Sequence, residues 1–429
     1  MSNKIFGRTE ILLPRELSQD ALYRWSVVAC DQYTSDPSYW EAVEKTVGDA
    51  PSTRRITYPE LFLSAPDKDA RIAAIAEATK AYRADVLQAY PDAMIYVERA
   101  MKNGKKRCGI VGAFDLDAYS YAKDSQTPIR ATEGTVLSRI PPRVQIRRDA
   151  AVETPHVMIL CDDKEQKLFS AARKAKAAAP IYDFDLMQNG GRITGWLIEG
   201  ALADEIEALA LELGCEKAFA DKYFANGSAN GNADGKQPLV FPVGDGNHSL
   251  ATAKACWEEL RANGASETHP ARYALAELVN LHDEALEFEP IYRVVFGADG
   301  EALLADMKAY YPALTEGAAD GHTFEVVYGD TTRVVTHPAP TAQLPVGTLQ
   351  IFLDAWLADH PDAEVDYIHG IDATKKLAQG EHAVGFLFDG MEKDDLFRTV
   401  IFDGALPRKT FSMGEADEKR YYLECRAIR

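Results

Sequence analysis

The stretch that decides the fold is residues 239–262, LVFPVGDGNHSLATAKACWEELRA. Its first five residues form an apolar run typical of a buried strand, and the spacing predicts a helix from 249 to 262. Gly244 and Gly246 lie between them, and glycine permits the sharp turn and close backbone approach that such a junction requires. The start of the helix presents unpaired backbone N–H groups and a partial positive charge, which favours an anion there.

The side chains of this turn add specific chemistry to the helix start. Asn247, His248 and Ser249 can donate hydrogen bonds, and Asp245 at the end of the strand can hold a cation or accept a proton. Together these parts suit a phosphate group and its metal ion. Alternatively, Asp245 or Asn247 simply caps the helix, and the glycines serve only the turn. The spacing alone does not decide between an anion site and a cap.

Arginines are concentrated further upstream, where five of them fall between residues 130 and 148. Guanidinium groups suit phosphate or carboxylate because they offer two parallel hydrogen bonds. We expect ligand contacts in this segment from Arg130 above all, and further from Thr132, Glu133, Thr135 and Arg143. The alternative is that the arginines pair with the acidic surface, at little energetic gain.

Several single residues complete the candidate set. Lys409 follows an apolar run and a proline, and it can reach a phosphate as a point charge, although a solvated loop lysine fits the same pattern. Asp31 lies in a polar turn after an apolar run, which makes it a candidate base for a hydroxyl group. Asp162 and Asp163 occupy a similar position after the apolar run 156–161. Each of these carboxylates can equally be structural.

Composition limits the class of protein. The chain has 429 residues, which is too long for one ordinary core and predicts two or three packed units. Its net charge of −19 opposes binding to phosphate backbones and anionic lipid, so neither nucleic acid nor a membrane is an expected partner. Six scattered cysteines without a C-x-x-C pair favour a cytoplasmic protein. The expected partner is a small anionic or phosphorylated ligand, and a homo-oligomer is left open.

The order of elements predicts an α+β chain with a first domain at 1–289 and a C-terminal α+β unit at 290–429. Asn103-Gly104 predicts a tight hairpin between 93–101 and 105–116. Residues 226–237 are rich in Gly, Asn and Ser, and they predict a mobile loop. The apolar runs at 22–30 and 397–402 are interpreted as strands.

Several separated segments resemble a bacterial and archaeal family of unknown function that is often labelled SpoOJ/ParB-like. The resemblance rests on VVACDQY at 27–33, IRATEGTVLSRIPPRVQIR at 129–147, ETPHVM at 153–158, GDGNHS at 244–249, VNLHD at 279–283 leading to PIYRVV at 290–295, and PRKTF at 407–411. The family's usual turn is Asp-Gly-His-His-Arg, which is similar to the phosphate-binding turn of ParB/sulfiredoxin-like folds. Asp245, Gly246 and His248 match it, whereas Asn247 replaces a histidine and Ser249 replaces the arginine.

The resemblance implies a ParB/sulfiredoxin-like core with a large insertion in the first domain. It also implies a nucleotide-dependent phosphotransferase that uses ATP or ADP with Mg²⁺ and acts on a small hydroxylated metabolite such as an amino acid. In this hypothesis the turn and His248 cradle phosphates, Arg130 and Lys409 neutralise charge, Asp245 binds the metal, and Asp31 is the base. The alternative is a non-catalytic protein in which the same fold holds a nucleotide or another anion as a switch.

Overall fold

The computed structural model describes residues 4–224 and 236–429 and divides them into two compact units. The first unit runs to Leu286 and resumes at Glu415, and the second is Glu287–Gly414. Both units mix helices and strands, which confirms the predicted α+β class. The predicted mobile loop at 226–237 lies, up to residue 235, outside the described residues.

The described strands are, in chain order, β1 (Phe6–Gly7), β2 (Thr9–Pro14), β3 (Leu87–Ala100), β4 (Lys106–Asp115), β5 (Tyr119–Ser120), β6 (Ile129–Ala131), β7 (Val152–Glu153), β8 (Met158–Cys161), β9 (Tyr182–Asp185), β10 (Arg192–Ile198), β11 (Phe241–Asp245), β12 (Tyr273–Asn280), β13 (Phe288–Phe296), β14 (Thr315–Glu316), β15 (His322–Tyr328), β16 (Thr331–His337), β17 (Glu364–His369), β18 (Ala383–Phe388), β19 (Phe411–Met413) and β20 (Arg426–Ala427). The described α-helices are α1 (Gln19–Trp25), α2 (Pro37–Val47), α3 (Lys68–Ala81), α4 (Ile140–Arg148), α5 (Lys167–Ala172), α6 (Gly200–Glu212), α7 (Glu216–Tyr223), α8 (Asn247–Ala262), α9 (Gly300–Tyr310), α10 (Pro345–Asp359), α11 (Ile371–Ala378) and α12 (Lys393–Phe402).

A large sheet organises the first unit, with strand order β5-β6-β11-β8-β12-β4-β3-β10-β9, while β1 pairs with β4 and β2 with β3. Strand β11 runs parallel to β6 and antiparallel to β8, and β8 runs parallel to β12. The carboxyl end of β11 therefore lies beside the amino end of β8. The carboxyl ends of β8 and β12 lie together at the opposite end of the sheet.

Both faces of this sheet are buried, because alternate residues of a strand point to opposite faces. On β3, Met94 and Tyr96 belong to one apolar cluster, which also contains Trp257 of α8. Ile95 and Val97 of the same strand belong to a second cluster, which also contains Trp25 of α1. The helices thus cover the sheet on both sides.

Local signals in the sequence explain some elements and mislead at others. The Asn103-Gly104 hairpin is confirmed, since β3 and β4 pair in register around it and Gly104 has a φ of 80°. The prediction of a strand at 22–30 is wrong, because residues 19–25 form helix α1. Ser18 starts this helix by accepting a hydrogen bond from the Ala21 N–H. The prediction of a strand at 397–402 is also wrong, because a capping box of Glu392 and Asp395 starts helix α12.

The predicted second domain of 290–429 extends too far at its carboxyl end. Residues from Glu415 onward belong to the first unit. Strand β20 pairs with β7, and Arg426 forms a buried ion pair with Glu153. Arg420 is buried between Glu277 of β12 and Glu424. These buried pairs anchor the segment, since a buried charge is stable only when it is paired.

The second unit contains a sheet with strand order β14-β16-β15-β18-β13-β17, and β19 pairs with β13. Its hairpin of β15 and β16 turns at Gly329, which has a φ of 52°. The fully buried Arg293 donates hydrogen bonds to the Gln350 side chain and to the carbonyl oxygens of Arg408 and Lys409. It therefore fixes the segment that carries Lys409.

Candidate functional site

The junction of β11 and α8 is built around a glycine that no other residue can replace without strain. Gly246 is the N-cap of α8 and has a φ of 81°. A Cβ atom added at Gly246 would lie 3.0 Å from both Cα and Cγ2 of Val157, which precedes β8. The pairing of β11 with β8 shifts register between Val243 and Asp245, so a bulge includes Gly244. Such bulges commonly re-aim residues beside functional sites.

The start of α8 is not closed by a cap. Its N-cap residue, Gly246, has no side chain with which to cap the helix. Asp245 Oδ1 accepts a hydrogen bond from the Gly246 N–H at 2.8 Å, and the Asn247 side chain turns towards Thr132. The capping alternative from the sequence is therefore not what the structure shows. The Ser249 and Leu250 N–H groups donate to the Gly246 carbonyl oxygen at 3.0 Å, and the partial positive charge of the helix start favours an anion beside it.

A loop at residues 132–136 is tied to this helix start. Thr132 donates its N–H to Asn247 Oδ1 at 3.2 Å and its hydroxyl to the Val243 carbonyl oxygen at 2.6 Å. The Val136 N–H donates to His248 Nε2 at 3.3 Å. Thr135 Oγ1 is buried and has no hydrogen-bond partner among the described residues. A buried hydroxyl of this kind costs free energy unless a ligand or water satisfies it.

Three residues from distant parts of the sequence meet the turn. His156, just before β8, lies with Nε2 3.1 Å from Ser249 Oγ and Nδ1 2.8 Å from the Tyr422 hydroxyl. Asp31 Oδ2 lies 4.0 Å from His156 Nε2. Lys419 Nζ lies 3.4 Å from Asp245 Oδ2. We call Asp31, His156, Asp245, Ser249 and Lys419 the His156 cluster.

The charges in the His156 cluster keep Asp31 ionised. Burial works to raise the pKa of Asp31, but the nearby charge of His156, a hydrogen bond from Gln32 and the charge of Lys419 lower it overall. Burial raises the pKa of the adjacent Cys30 thiol to about 12, so Cys30 is an unreactive thiol at neutral pH. Asp31 is therefore a carboxylate at neutral pH.

The hydrogen bonds around Tyr422 set the tautomer of His156. The Tyr422 oxygen accepts the Cys30 N–H at 3.1 Å, and its own proton can then donate to His156 Nδ1. We assign a ring proton to Nε2 on this basis, because this nitrogen faces Ser249 and the Asp31 carboxylate. Ser249 then accepts from His156 and keeps its own hydroxyl proton for another acceptor.

Several residues predicted from the sequence have partners outside the His156 cluster. The Arg130 guanidinium is buried, donates to the carbonyl oxygens of Thr127 and Gln237, and therefore points towards the amino end of β11. Burial lowers the pKa of Arg130 to about 10. Arg143 forms an ion pair with Glu60. Lys409 belongs to the second unit, where its ammonium group lies 5.3 Å from the centre of the Tyr367 ring.

A second polar group lies at the carboxyl end of β8. Asp162 accepts hydrogen bonds from Tyr223 at 2.5 Å and from His282 at 2.7 Å, and it pairs with Lys222. We call Asp162, Lys222, Tyr223 and His282 the Asp162 cluster. Its neighbour Asp163 accepts three backbone N–H bonds at the start of α5 and is a structural residue.

Sequence reasoning missed His156, Lys419 and Tyr422 as site residues. His156 lies within the ETPHVM segment of the resemblance, so a signal for it existed. Lys419 and Tyr422 carry no local motif, and they reach the turn only because the C-terminal segment returns to the first unit. Among the described residues, no three His, Cys, Asp or Glu side chains converge as a metal site. The same residues include no helix with the length and apolar character needed to cross a bilayer.

Comparison with known proteins identifies a family. The family model described as Protein of unknown function (DUF1015) matches residues 12–356. No curated protein matches the chain.

Three solved structures are similar to the chain at low identity. A mutant of free serine kinase in complex with AMP is 11% identical, with a TM-score of 0.38, over 72% of this chain and 90% of that one. A conserved hypothetical protein from Pyrococcus furiosus is 12% identical, with a TM-score of 0.34, over 72% of this chain and 90% of that one. SbnI with a C-terminal truncation from Staphylococcus aureus is 10% identical, with a TM-score of 0.34, over 71% of this chain and 83% of that one. Scores this low carry no activity or ligand over to this chain.

Proposed function

We propose that this chain, which belongs to the DUF1015 family of proteins of unknown function, is a nucleotide-dependent phosphotransferase acting on a hydroxyl group of a small metabolite such as an amino acid. The observation that supports this most strongly is the junction of β11 and α8. An uncapped helix start, a lysine and two carboxylates meet there within one cluster. Phosphoryl transfer depends on positioning and charge stabilisation, and these groups supply both.

The phosphate end of the proposed site is the start of α8. This helix has 16 residues, so its backbone dipole is well developed and favours a negative charge at its open end. Lys419 adds a positive charge beside Asp245. Thr135 offers a buried hydroxyl group that lacks a partner among the described residues. These donors suit the terminal phosphates of ATP or ADP.

Asp245 is the proposed ligand for Mg²⁺. Its Oδ1 is held by the Gly246 N–H, while its Oδ2 faces Lys419 across 3.4 Å. Mg²⁺ is commonly bound through one or two carboxylates together with substrate phosphates and water. This donor set fits such an ion when a nucleotide supplies the remaining oxygen ligands. When bound, the ion would neutralise negative charge on the phosphates.

Asp31 is the proposed base for the hydroxyl acceptor. Its lowered pKa keeps it ionised at neutral pH, and His156 and Ser249 lie between it and the helix start. In the transfer step the acceptor oxygen forms a bond to phosphorus, and the bond from phosphorus to the departing nucleotide oxygen breaks. The hydroxyl proton passes to Asp31. His156 and Ser249 position these groups by hydrogen bonds.

Of the residues predicted from the sequence, this proposal retains the turn 244–249, Thr132, Thr135 and Asp31. Thr132, Asn247 and His248 act by holding the loop at 132–136 against the helix start. Arg130 acts through backbone carbonyl groups and supports the sheet. Lys419 takes the charge-neutralising role that the sequence suggested for Lys409.

Calorimetric titration of the full chain with ATP, ADP and CTP, with and without Mg²⁺, tests the proposal. We expect binding of at least one nucleotide that strengthens with Mg²⁺, followed by phosphorylated product when amino acids and hydroxy acids are supplied. Absence of binding by all three nucleotides at millimolar concentration would contradict the proposal. Binding without product from any acceptor would favour the non-catalytic switch instead.

A further inference from the structure

A cavity of about 160 Å³ opens beside the His156 cluster. His156 and Ser249 form part of its wall, and the remainder is lined mainly by apolar side chains, including Ile56, Ile75, Ile146, Val152, Leu250 and Ala253. Ile146 and Leu63 are partly exposed, so solvent reaches the cavity past them. An apolar space with a few polar groups at one end is the usual form of a small-molecule site.

The polar groups of the remaining wall are already satisfied within the protein. Arg143 pairs with Glu60, and Arg147 pairs with Glu153 at 2.5 Å. The Thr252 hydroxyl donates to the His248 carbonyl oxygen at 2.7 Å. A polar ligand body would have to break such bonds, whereas an apolar body would not. The wall therefore selects an apolar group, and the His156–Ser249 pair at one end selects a hydroxyl.

We infer that this cavity holds the body of the phosphoryl acceptor, and that the acceptor is a primary alcohol whose apolar part is about the size of one aromatic ring. The inference rests on the proposed function and specifies its substrate class. An apolar protein cavity of about 150 Å³ accommodates benzene, so the volume here suits one ring or a branched aliphatic chain of similar size. The hydroxyl then lies against His156 and Ser249, and Asp31 Oδ2 is 4.0 Å from His156 Nε2.

Benzyl alcohol is the probe that tests the inference, with ethanol as the small comparison alcohol. Each buried methylene raises affinity about fourfold, so we expect benzyl alcohol to bind the full chain more than tenfold tighter than ethanol. Two variants fill the cavity from different elements: Ala253→Leu on α8 and Ile146→Trp on the partly exposed side of α4. We expect each to weaken benzyl alcohol binding at least tenfold. Ala262→Leu, at the exposed end of α8, is the matched control and should bind normally.

Titration of ATP into the same proteins separates the two proposals. We expect ATP affinity to stay within twofold of the wild type in all three variants, which also shows that they are folded. Two results would overturn this inference alone, provided that ATP binds. One is that benzyl alcohol binds the wild type no tighter than ethanol, and the other is that it binds both filled variants as tightly as the wild type. If ATP does not bind the wild type, the proposed function fails, and with it the acceptor role of the cavity.

Discussion

The two ends of strand β8 carry similar residue types and differ in how tightly their carboxylates are held. At the carboxyl end, Asp162 is bonded to Tyr223 at 2.5 Å and His282 at 2.7 Å, and it pairs with Lys222. At the amino end, one oxygen of each carboxylate is bonded, Asp31 Oδ1 to Gln32 at 3.1 Å and Asp245 Oδ1 to the Gly246 N–H at 2.8 Å. The Oδ2 atoms have longer contacts, 4.0 Å from Asp31 to His156 and 3.4 Å from Asp245 to Lys419. The Asp162 cluster is satisfied by the protein itself, whereas the His156 cluster has charge and hydrogen-bonding capacity left for a ligand.

Residue type alone therefore does not assign function at a sheet end. Asp31, Asp162 and Asp163 look alike in the sequence, since each follows an apolar run. Burial of a carboxylate is costly unless it is bonded, so saturated bonding marks a structural residue. The longer contacts of Oδ2 in Asp31 and Asp245, at 4.0 and 3.4 Å beside the start of α8, mark carboxylate oxygens that can act on a ligand.

Replacement of the proposed base should have the largest effect. Asp31→Asn removes the proton acceptor, and we expect turnover to fall by about 10²- to 10⁴-fold, with ATP affinity within twofold of the wild type. Steady-state phosphorylation of the best acceptor measures turnover, and calorimetry measures ATP affinity. Asp163→Asn provides no fair control because it disrupts α5, so Asp162→Asn is the comparison. Full turnover in Asp31→Asn would remove Asp31 from the mechanism.

Asp162→Asn should act on stability rather than on ligand binding. It leaves the Lys222 charge without its partner, and we expect a loss of about 1–3 kcal/mol in the free energy of unfolding. Urea unfolding measures this loss, and ATP affinity of the folded variant should not change. A variant that keeps its stability and loses ATP binding would reverse the assignment of the two ends.

The stability that Asp162 contributes should also depend on pH. Burial works to raise the pKa of Asp162, but hydrogen bonds from Lys222, Tyr223 and His282 lower it overall. A lowered folded pKa means that the contribution is present above the unfolded value of about 3.9 and is lost as pH falls through the folded value. The difference in stability between the wild type and Asp162→Asn should therefore shrink progressively as pH falls from about 4 through the lowered folded pKa of Asp162.

A pair of lysine variants compares the two clusters, with a smaller expected effect than the aspartate variants. Lys419→Met removes a charge beside the proposed phosphate site, and we expect ATP to bind about tenfold more weakly. Lys222→Met removes the matching charge at the Asp162 cluster, and it should leave ATP affinity unchanged. Calorimetry at two salt concentrations measures both, since the contribution of Lys419 should decrease with ionic strength. Equal losses in the two variants would argue for a general effect of net charge.

The smallest expected effect is a shift in the pH profile of turnover. Lys419 helps to lower the pKa of Asp31, so Lys419→Met should raise that pKa and move the acid limb of the profile to higher pH. Turnover of the wild type should fall only when pH drops towards the lowered pKa of Asp31, because the base is then protonated. An acid limb that does not move in Lys419→Met would separate Lys419 from Asp31.

The sequence predicts the parts of this molecule that depend on neighbouring residues. The Asn103-Gly104 hairpin and the strand–turn–helix at 239–262 follow from glycine, periodicity and turn chemistry over short spans. The apolar runs at 22–30 and 397–402 were ambiguous, since short runs fit strand and helix alike, and capping residues upstream decided them.

The candidate site could be predicted only in part, because only its turn is formed by residues that are neighbours in the sequence. The turn was visible locally, whereas Lys419 and Tyr422 join it through ion pairs that anchor the C-terminal segment at Arg420 and Arg426. Burial decides the role of Arg130, and burial depends on how Gln237 and Thr127 enclose it. No spacing in the sequence contains that information.

Hydrogen exchange with and without Mg²⁺ and ATP reports which end of β8 a nucleotide contacts. We expect slower exchange in the first turn of α8, in the loop at 132–136 and around Lys419, with no change around Asp162, Lys222 and His282. Slower exchange around the Asp162 cluster, with none at the start of α8, would contradict this expectation.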